Sequence, residues 1–327
     1  MIVKKLLFNI KQLTKGNNMN NLKKVGLTAL GTALVTVGSA QAAEWSVSGG
    51  TSLNFNGQDN NNMGNGWTMT DSVTFSSSGE LDNGMSVAVS MELDGNLMDS
   101  RSIAITTDGM GTITFSGDGS SGPIGSWDDM TPTANEEAHG STIAGTISAP
   151  VSAAGTNDIF VYDYTIIDGL ALKASYTPSD GSTDIESSQD YGVMYTGTEG
   201  LTVYAAMGEN NGDAAKIDNS IFGVKYAMGA MTVGYQTNEV DSTGSNGDRD
   251  FTAAGISYAV SDDLSVSFNV SEVDFEGGTN NQEATGISFS YTSGGMTLSG
   301  SHHSVDNVGG TATADNTGYE LNLSFAF

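Results

Sequence analysis

Trp45-Ser46-Val47-Ser48-Gly49-Gly50-Thr51-Ser52-Leu53-Asn54-Phe55 is the stretch on which the fold turns. Its odd positions hold Trp, Val, Gly, Thr, Leu and Phe, and its even positions hold Ser, Ser, Gly, Ser and Asn. A period of two puts alternate side chains on opposite faces of a β-strand, so this segment has one apolar and one polar face. The pattern continues to the last residue. Met69, Val73 and Phe75 share a face; so do Met85, Val87, Val89, Met91 and Leu93; then Ile103 and Ile105; then Ile113 and Phe115. It resumes at Phe160, Tyr162, Tyr164 and Ile166 and at Leu170, Leu172, Ala174 and Tyr176. The last strand-like segment carries Tyr319, Leu321, Leu323, Phe325 and Phe327.

Sixteen such segments can be counted, joined by two kinds of connection. Short turns carry Gly, Asp or Asn, as in Leu81-Asp82-Asn83-Gly84, Asp108-Gly109-Met110-Gly111 and Ile167-Asp168-Gly169. Longer acidic loops lie between them, as in Gln58–Gly66, Glu239–Asp250 and Asp306–Asn316. Short turns at one end and long loops at the other are the layout of an outer-membrane barrel. In hydrocarbon every backbone N–H and C=O must be paired, so a sheet crosses only when closed. Residues 43–327 leave about 18 residues per strand, enough for a crossing of about 9–11 plus its share of connection. The expected fold is therefore all-β: a transmembrane antiparallel β-barrel of 16 strands. A barrel of that size keeps an aqueous lumen.

Composition agrees. There are 43 Gly, 4 Pro and no Cys, and the hydrophobic fraction is 38%. No stretch supplies the ~20 consecutive apolar residues of a spanning helix. The N-terminus reads as an export signal over 19–42. Lys23 and Lys24 form the basic part, Val25 to Val37 the apolar part, and Ala40-Gln41-Ala42 the cleavage site before Ala43. Residues 1–18 read as an upstream extension or a misassigned start. Six of the eleven Lys and Arg precede residue 43, whereas all 38 acids follow it. The expected mature chain sets five cations against 38 acids, a formal charge of −33. Such a surface repels nucleic acid.

One irregular insert, Ser116–Asn157, follows the fifth strand and so leaves from the long-loop end. A stretch of that length without regular structure is uncommon unless it is functional. It carries Asp118, Asp128, Asp129, Glu136 and Glu137 and no Lys or Arg.

Four features resemble the Gram-negative general diffusion porins, those of alphaproteobacteria above all. They are Trp45-Ser46-Val47-Ser48-Gly49 after the signal, the hairpin Glu80-Leu81-Asp82-Asn83-Gly84-Met85, Gly111-Thr112-Ile113-Thr114-Phe115 followed by Asp128-Asp129-Met130-Thr131-Pro132, and a terminal Phe327 with Phe325 before it. The resemblance covers the whole mature chain. It implies a homotrimer in the bacterial outer membrane, with membrane lipid and lipopolysaccharide around it. Its third loop, 116–157, would fold into the pore and narrow it. Tyr319, Phe325 and Phe327 would signal to the barrel-assembly machinery. Two departures stand out: the mature chain has only Arg101 and Arg249 where family eyelets set several arginines, and Asn322 stands where the assembly signal often has Gly.

The expected function is passive diffusion of small hydrophilic solutes and ions through a cation-selective channel. The constriction would be built from Asp118, Asp128, Asp129, Glu136 and Glu137 against inward-pointing Lys173 and Lys225. The other reading is a non-transporting surface barrel or adhesin. The inner parity separates them: Ser46, Ser48, Ser52, Asn54, Ser86, Ala88 and Ser90 are small, as a hydrated wall requires. Leu172, Val203, Val233 and Val266 are expected to face lipid, and Ser267 is expected to accept an Arg.

Other motifs carry less. Gly117-Asp118-Gly119-Ser120-Ser121-Gly122 spells a dinucleotide fingerprint but lacks a parallel βαβ unit and a following helical pattern. Asp59-Asn60-Asn61-Asn62-Met63-Gly64 departs from a calcium loop at Met63 and again at Thr70. No cofactor is expected, although the acidic loops could loosely hold divalent cations such as calcium. His139, His302 and His303 accompany no G-x-S-x-G, and adjacent histidines near a loop are expected to be solvated. Asp128–Asp129 and Glu136–Glu137 lack the rigid frame of a glycosidase pair and fit a charged constriction better.

Overall fold

The computed structural model describes residues 45–59, 66–138, 143, 145–147, 151, 157–179, 186–211, 216–244, 247–277 and 280–327. The export segment, with Ala40, Ala42 and Ala43, lies outside the described residues, as do His139 and Asn60–Met63 of the calcium-like loop.

The strands are β1 (Ser46–Gln58), β2 (Trp67–Glu80), β3 (Ser86–Asp94), β4 (Leu97–Thr107) and β5 (Gly111–Asp118). A one-turn helix, α1 (Pro123–Trp127), lies in the third loop. Then come β6 (Ile159–Ile167), β7 (Leu170–Thr177), β8 (Ser188–Thr198), β9 (Leu201–Asn211), β10 (Lys216–Met228) and β11 (Met231–Ser242). The chain ends with β12 (Arg249–Ala259), β13 (Leu264–Phe275), β14 (Gln282–Ser293), β15 (Met296–Asp306) and β16 (Asn316–Ala326). Each strand pairs antiparallel with its sequence neighbours, and β1 pairs with β16 to close a sixteen-stranded barrel. No helix among the described residues is long and apolar enough to cross a membrane.

Closure leaves no edge. Gly50 pairs with Ala326 and Gln58 with Gly318. One step further, Gly49 and Phe327 exchange both backbone hydrogen bonds, at 2.9 and 3.0 Å. The terminal residue is thereby the last rung of the seam. Its side chain, with those of Tyr319 and Phe325, is exposed on the outer face.

The outer face is apolar, as the parity predicts. Phe222, Ile256, Phe268 and Ile287 stand exposed there. Tyr195, Tyr226, Tyr258 and Tyr291, on alternate strands β8, β10, β12 and β14, each lie two or three residues before a short turn. They form a ring where an amphipathic phenol suits the membrane interface.

Two features differ from the sequence expectation. The β3–β4 connection is at the long-loop end, yet it is only Gly95-Asn96, with Gly95 at φ 58°. Glycine takes that left-handed conformation without a Cβ clash, so the chain reverses in two residues. The barrel rim is consequently low there: the Gly95 N–H donates to the carbonyl of Asp71, four residues into β2. Several strands also run past their alternating apolar stretch. Lys216 and Asp218 in β10 and Glu272 and Asp274 in β13 are paired strand that carries polar side chains on the outward parity. Backbone pairing continues above the hydrocarbon, where the outer face has no reason to stay apolar.

Candidate functional site

The third loop leaves β5 and turns inward. Strand β5 includes Ser116, Gly117 and Asp118, so the loop begins at Gly119 and ends before Ile159. Its first anchor is α1, a single turn opened by Pro123 in the first helical turn, where the missing N–H costs nothing. Five residues are too few to show a helical period, so the sequence does not announce this turn. Ile124 and Trp127 are buried against Tyr204, Ala206 and Ile221 of the barrel wall.

The wall makes room by omitting side chains. A Cβ on Gly192 would meet Trp127 and Pro123, one on Gly208 would meet Ile124, one on Gly234 or Gly255 would meet Pro132, and one on Gly286 would meet Ala138. These glycines lie on β8, β9, β11, β12 and β14 and trace the path of the loop along the inner face.

Hydrogen bonds fix it. The Gln236 side-chain amide on β11 donates to the carbonyls of Trp127 and Asp128, and its oxygen accepts from Met130 N–H at 2.9 Å and from the Tyr204 hydroxyl. Asn238 donates to the Asp128 carbonyl at 2.8 Å, and Asn269 to the Pro132 carbonyl at 2.9 Å. The hydroxyls of Ser267 and Ser288 accept from Ala134 and Asn135 N–H, each at 3.0 Å. Asn135 donates to Glu320 on β16, and Gln282 holds both the N–H and the carbonyl of Ile147. These wall residues all have the inner parity, so the loop settles which face is the lumen. The small residues of β1 to β4, Ser46, Ser76, Ser78, Ala88, Ser90, Ser102 and Ala104, border an open recess of about 330 Å³.

The turn at Thr131–Asn135 folds the loop back on itself and brings the four loop acids together. Loss of solvent pushes the Asp128 carboxyl up to about 6. Burial and then the nearby Glu137 push Asp129 up to about 8, and the two carboxyls are hydrogen-bonded to each other. Burial also raises Glu137, and the same bond works against that rise. Burial, then Glu320, pushes Glu136 up to about 7. Isolated carboxyls titrate near 4, so this cluster gains its charge in stages across neutral pH.

The other expected site residues are placed as follows. Lys173 points inward and donates to the Ser126 hydroxyl at 2.9 Å. Lys225 pairs in register with Gly234 and flanks Pro132 there. Asp118 does not join the acidic group. It ends β5 and pairs with Arg101 at 3.0 Å, beside a register shift in β4. That ion pair lies over Gly117, which has no side chain to obstruct Arg101. His303 is not solvated: it is fully buried, with Nδ1 3.1 Å from the Ala138 carbonyl, whereas His302 on the outward parity is exposed. Glu320 and Gln236 are not among the expected site residues, and the inward parity of Asn269 predicts only a place in the hydrated wall. Each is a large polar group on the inner parity among serines and glycines, and that size contrast was the available signal.

Among the described residues no group of three or more His, Asp or Glu is arranged to hold a metal. The fingerprint at Gly117–Gly122 runs from β5 into α1, and β5 pairs antiparallel with β6, so no parallel βαβ unit surrounds it.

A family model described as Gram-negative porin matches residues 27–292. No curated protein is detectably similar in sequence. Among solved structures, the anion-selective porin from Comamonas acidovorans superposes with a TM-score of 0.71 at 13% identity, over 87% of this chain and 100% of that one. OmpF of Salmonella typhi, in complex with daunomycin, gives 0.67 at 12% identity, over 87% and 98%. A trimer form of OmpT, an outer membrane protein of Vibrio cholerae, gives 0.60 at 12% identity, over 88% and 100%.

Proposed function

From the premise that this chain belongs to the Gram-negative porin family and forms a channel in the outer membrane, we propose that it passes small hydrophilic solutes and ions by diffusion, with a preference for cations. The observation that carries this reading is the convergence of Asp128, Asp129, Glu136 and Glu137 beside Glu320 on the inner wall. Lys173 and Lys225 on the wall each approach the loop at a single point. A narrow passage with low-dielectric walls focuses such charge, and rings of Asp and Glu favour cations.

The preference depends on pH. Asp128 ionises first, near 6, then Glu136 near 7, then Asp129 near 8. The loop therefore gains negative charge from mild acid to mild base. The anion-selective porin from Comamonas acidovorans has a similar fold at 13% identity, too remote to carry its selectivity over to this chain.

The reversal potential across a salt gradient tests this for the wild type and for Asp128→Asn/Asp129→Asn/Glu136→Gln/Glu137→Gln. A cation preference that collapses in the quadruple variant supports the reading. An anion-selective wild type at pH 8, or a variant unchanged from it, overturns it. The same reading makes the protein a homotrimer, as the OmpT trimer form suggests by likeness of fold. The mass of the detergent-solubilised assembly tests that part.

A further inference from the structure

Beneath the start of the loop, four residues stand in one row across the inner wall. Thr112 on β5 is opposite Asp163 on β6, Asp163 is opposite Lys173 on β7, and Lys173 is opposite Gly192 on β8. The Trp127 ring lies on Gly192, filling the place of its absent side chain. Met194, two residues on and also inward, packs against the Trp127 cluster. The row therefore presents a carboxylate, an ammonium and an apolar surface in that order, with strands about 4.8 Å apart.

The two charges do not neutralise each other. Lys173 turns toward the loop and gives one of its donors to Ser126. Asp163 is exposed to the lumen and, among the described residues, its carboxylate has no partner. Thr112, Asp163 and Lys173, with Trp127 and Met194, line an open recess of about 600 Å³.

We propose that this recess is a subsite for α-amino acids with apolar side chains on their way through the channel. The proposal rests on the channel reading. The ammonium of the solute would meet Asp163, its carboxylate the two remaining donors of Lys173, and its side chain Trp127 and Met194. An α-amino acid carries opposite charges on one carbon, which matches opposite charges borne by directly paired residues of adjacent strands. A sugar satisfies neither charge, and a simple ion satisfies only one. Asp163 is open to water, so each contact is weak, and half-occupancy falls on the order of millimolar. A weak site is what a channel requires, since its solute must also leave.

The test is single-channel current in a planar bilayer with L-phenylalanine titrated in, against 3-phenylpropionate, phenethylamine and glycine. Phenylalanine should reduce the current saturably, at a concentration several-fold lower than any of the other three. Asp163→Asn and Lys173→Met, each referred to its own open current, should raise the half-blocking concentration roughly tenfold, the loss of one charge-assisted contact. A decrease that is linear and equal for all four compounds overturns the subsite. So does saturable block that both variants leave unchanged. Inserted wild-type protein that carries no current overturns the channel reading itself, a result distinct from an open channel that ignores amino acids.

Discussion

The carboxyls of Asp129 and Glu137, eight residues apart on the same loop, are hydrogen-bonded to each other. Two acids can share such a bond only while one of them keeps a proton. The shape of the loop and the charge it shows to the lumen are therefore linked.

The first prediction follows from the sign of these shifts. A carboxyl whose value is raised in the docked loop opposes docking once it ionises. Docking is tightest below about 4, where the undocked carboxyls would titrate, and loosens progressively as pH rises from there through 6, 7 and 8, where Asp128, Glu136 and Asp129 ionise in the docked loop. Cation preference should climb from about 6 to about 8, and current noise should already be climbing below that window. Asp129→Asn keeps a donor for Glu137 but removes the last step, so its selectivity should level off above pH 7. Reversal potentials from pH 5 to 9 check this, and a flat profile in the wild type would contradict it.

Gln236 is the second target. It is fully buried and bonds three loop residues as well as Tyr204. Gln236→Leu leaves several buried polar groups unpaired, at about 1–3 kcal/mol each. The strands keep their own ladder, so the barrel should remain heat-resistant in electrophoresis while the conductance rises and becomes noisy. Wild-type conductance from the variant would mean that the remaining anchors suffice.

Third, the two faces should respond differently to charge. Val266 stands on the outer face, where an Arg at the membrane midplane costs about 2–4 kcal/mol. Val266→Arg should lower the yield of folded barrel. The neighbouring Ser267 is not the tolerant inner position that its parity suggests, because it is buried under the loop and accepts from Ala134. Ser267→Arg should dislodge the loop. Ala88 is the better inner control, exposed on the wall of β3. Ala88→Arg should fold normally and weaken cation preference. Equal folding of Val266→Arg and Ala88→Arg, measured by heat-modifiable mobility, would reverse the assignment of faces.

Fourth, deletion of Phe327 removes the pair of hydrogen bonds that it exchanges with Gly49 at the seam. It also removes the terminal aromatic that the family resemblance assigns to assembly. The truncated chain should be exported but remain protease-sensitive in the periplasm. Normal surface levels would defeat this.

The barrel was legible because hydrocarbon imposes a strict rule on one parity of every strand, and Val47, Val89, Leu172 and Val266 all obey it. The position of the third loop was legible as the single long break in that rhythm. Its docking was not. The contacts of Gln236, Asn269 and Glu320 with the loop span many residues of sequence and follow no period, so nothing local announces them. The turn at Gly95-Asn96 was hidden because Leu93, Leu97 and Met98 flank it closely, so no polar run marks a connection there. Asp118 was grouped with the loop acids on charge alone, whereas a register shift beside Arg101 decides its partner.

The row of glycines under the loop has a consequence for engineering. Gly192, Gly208, Gly234, Gly255 and Gly286 form a mould, and Trp127, Ile124, Pro132 and Ala138 are its casting. Loop and wall are thus one heritable part, although separated in sequence. A loop transplanted from a distant barrel would arrive without its mould and stand away from the wall, whereas the loop moved together with its five glycines would carry its own aperture to a new host.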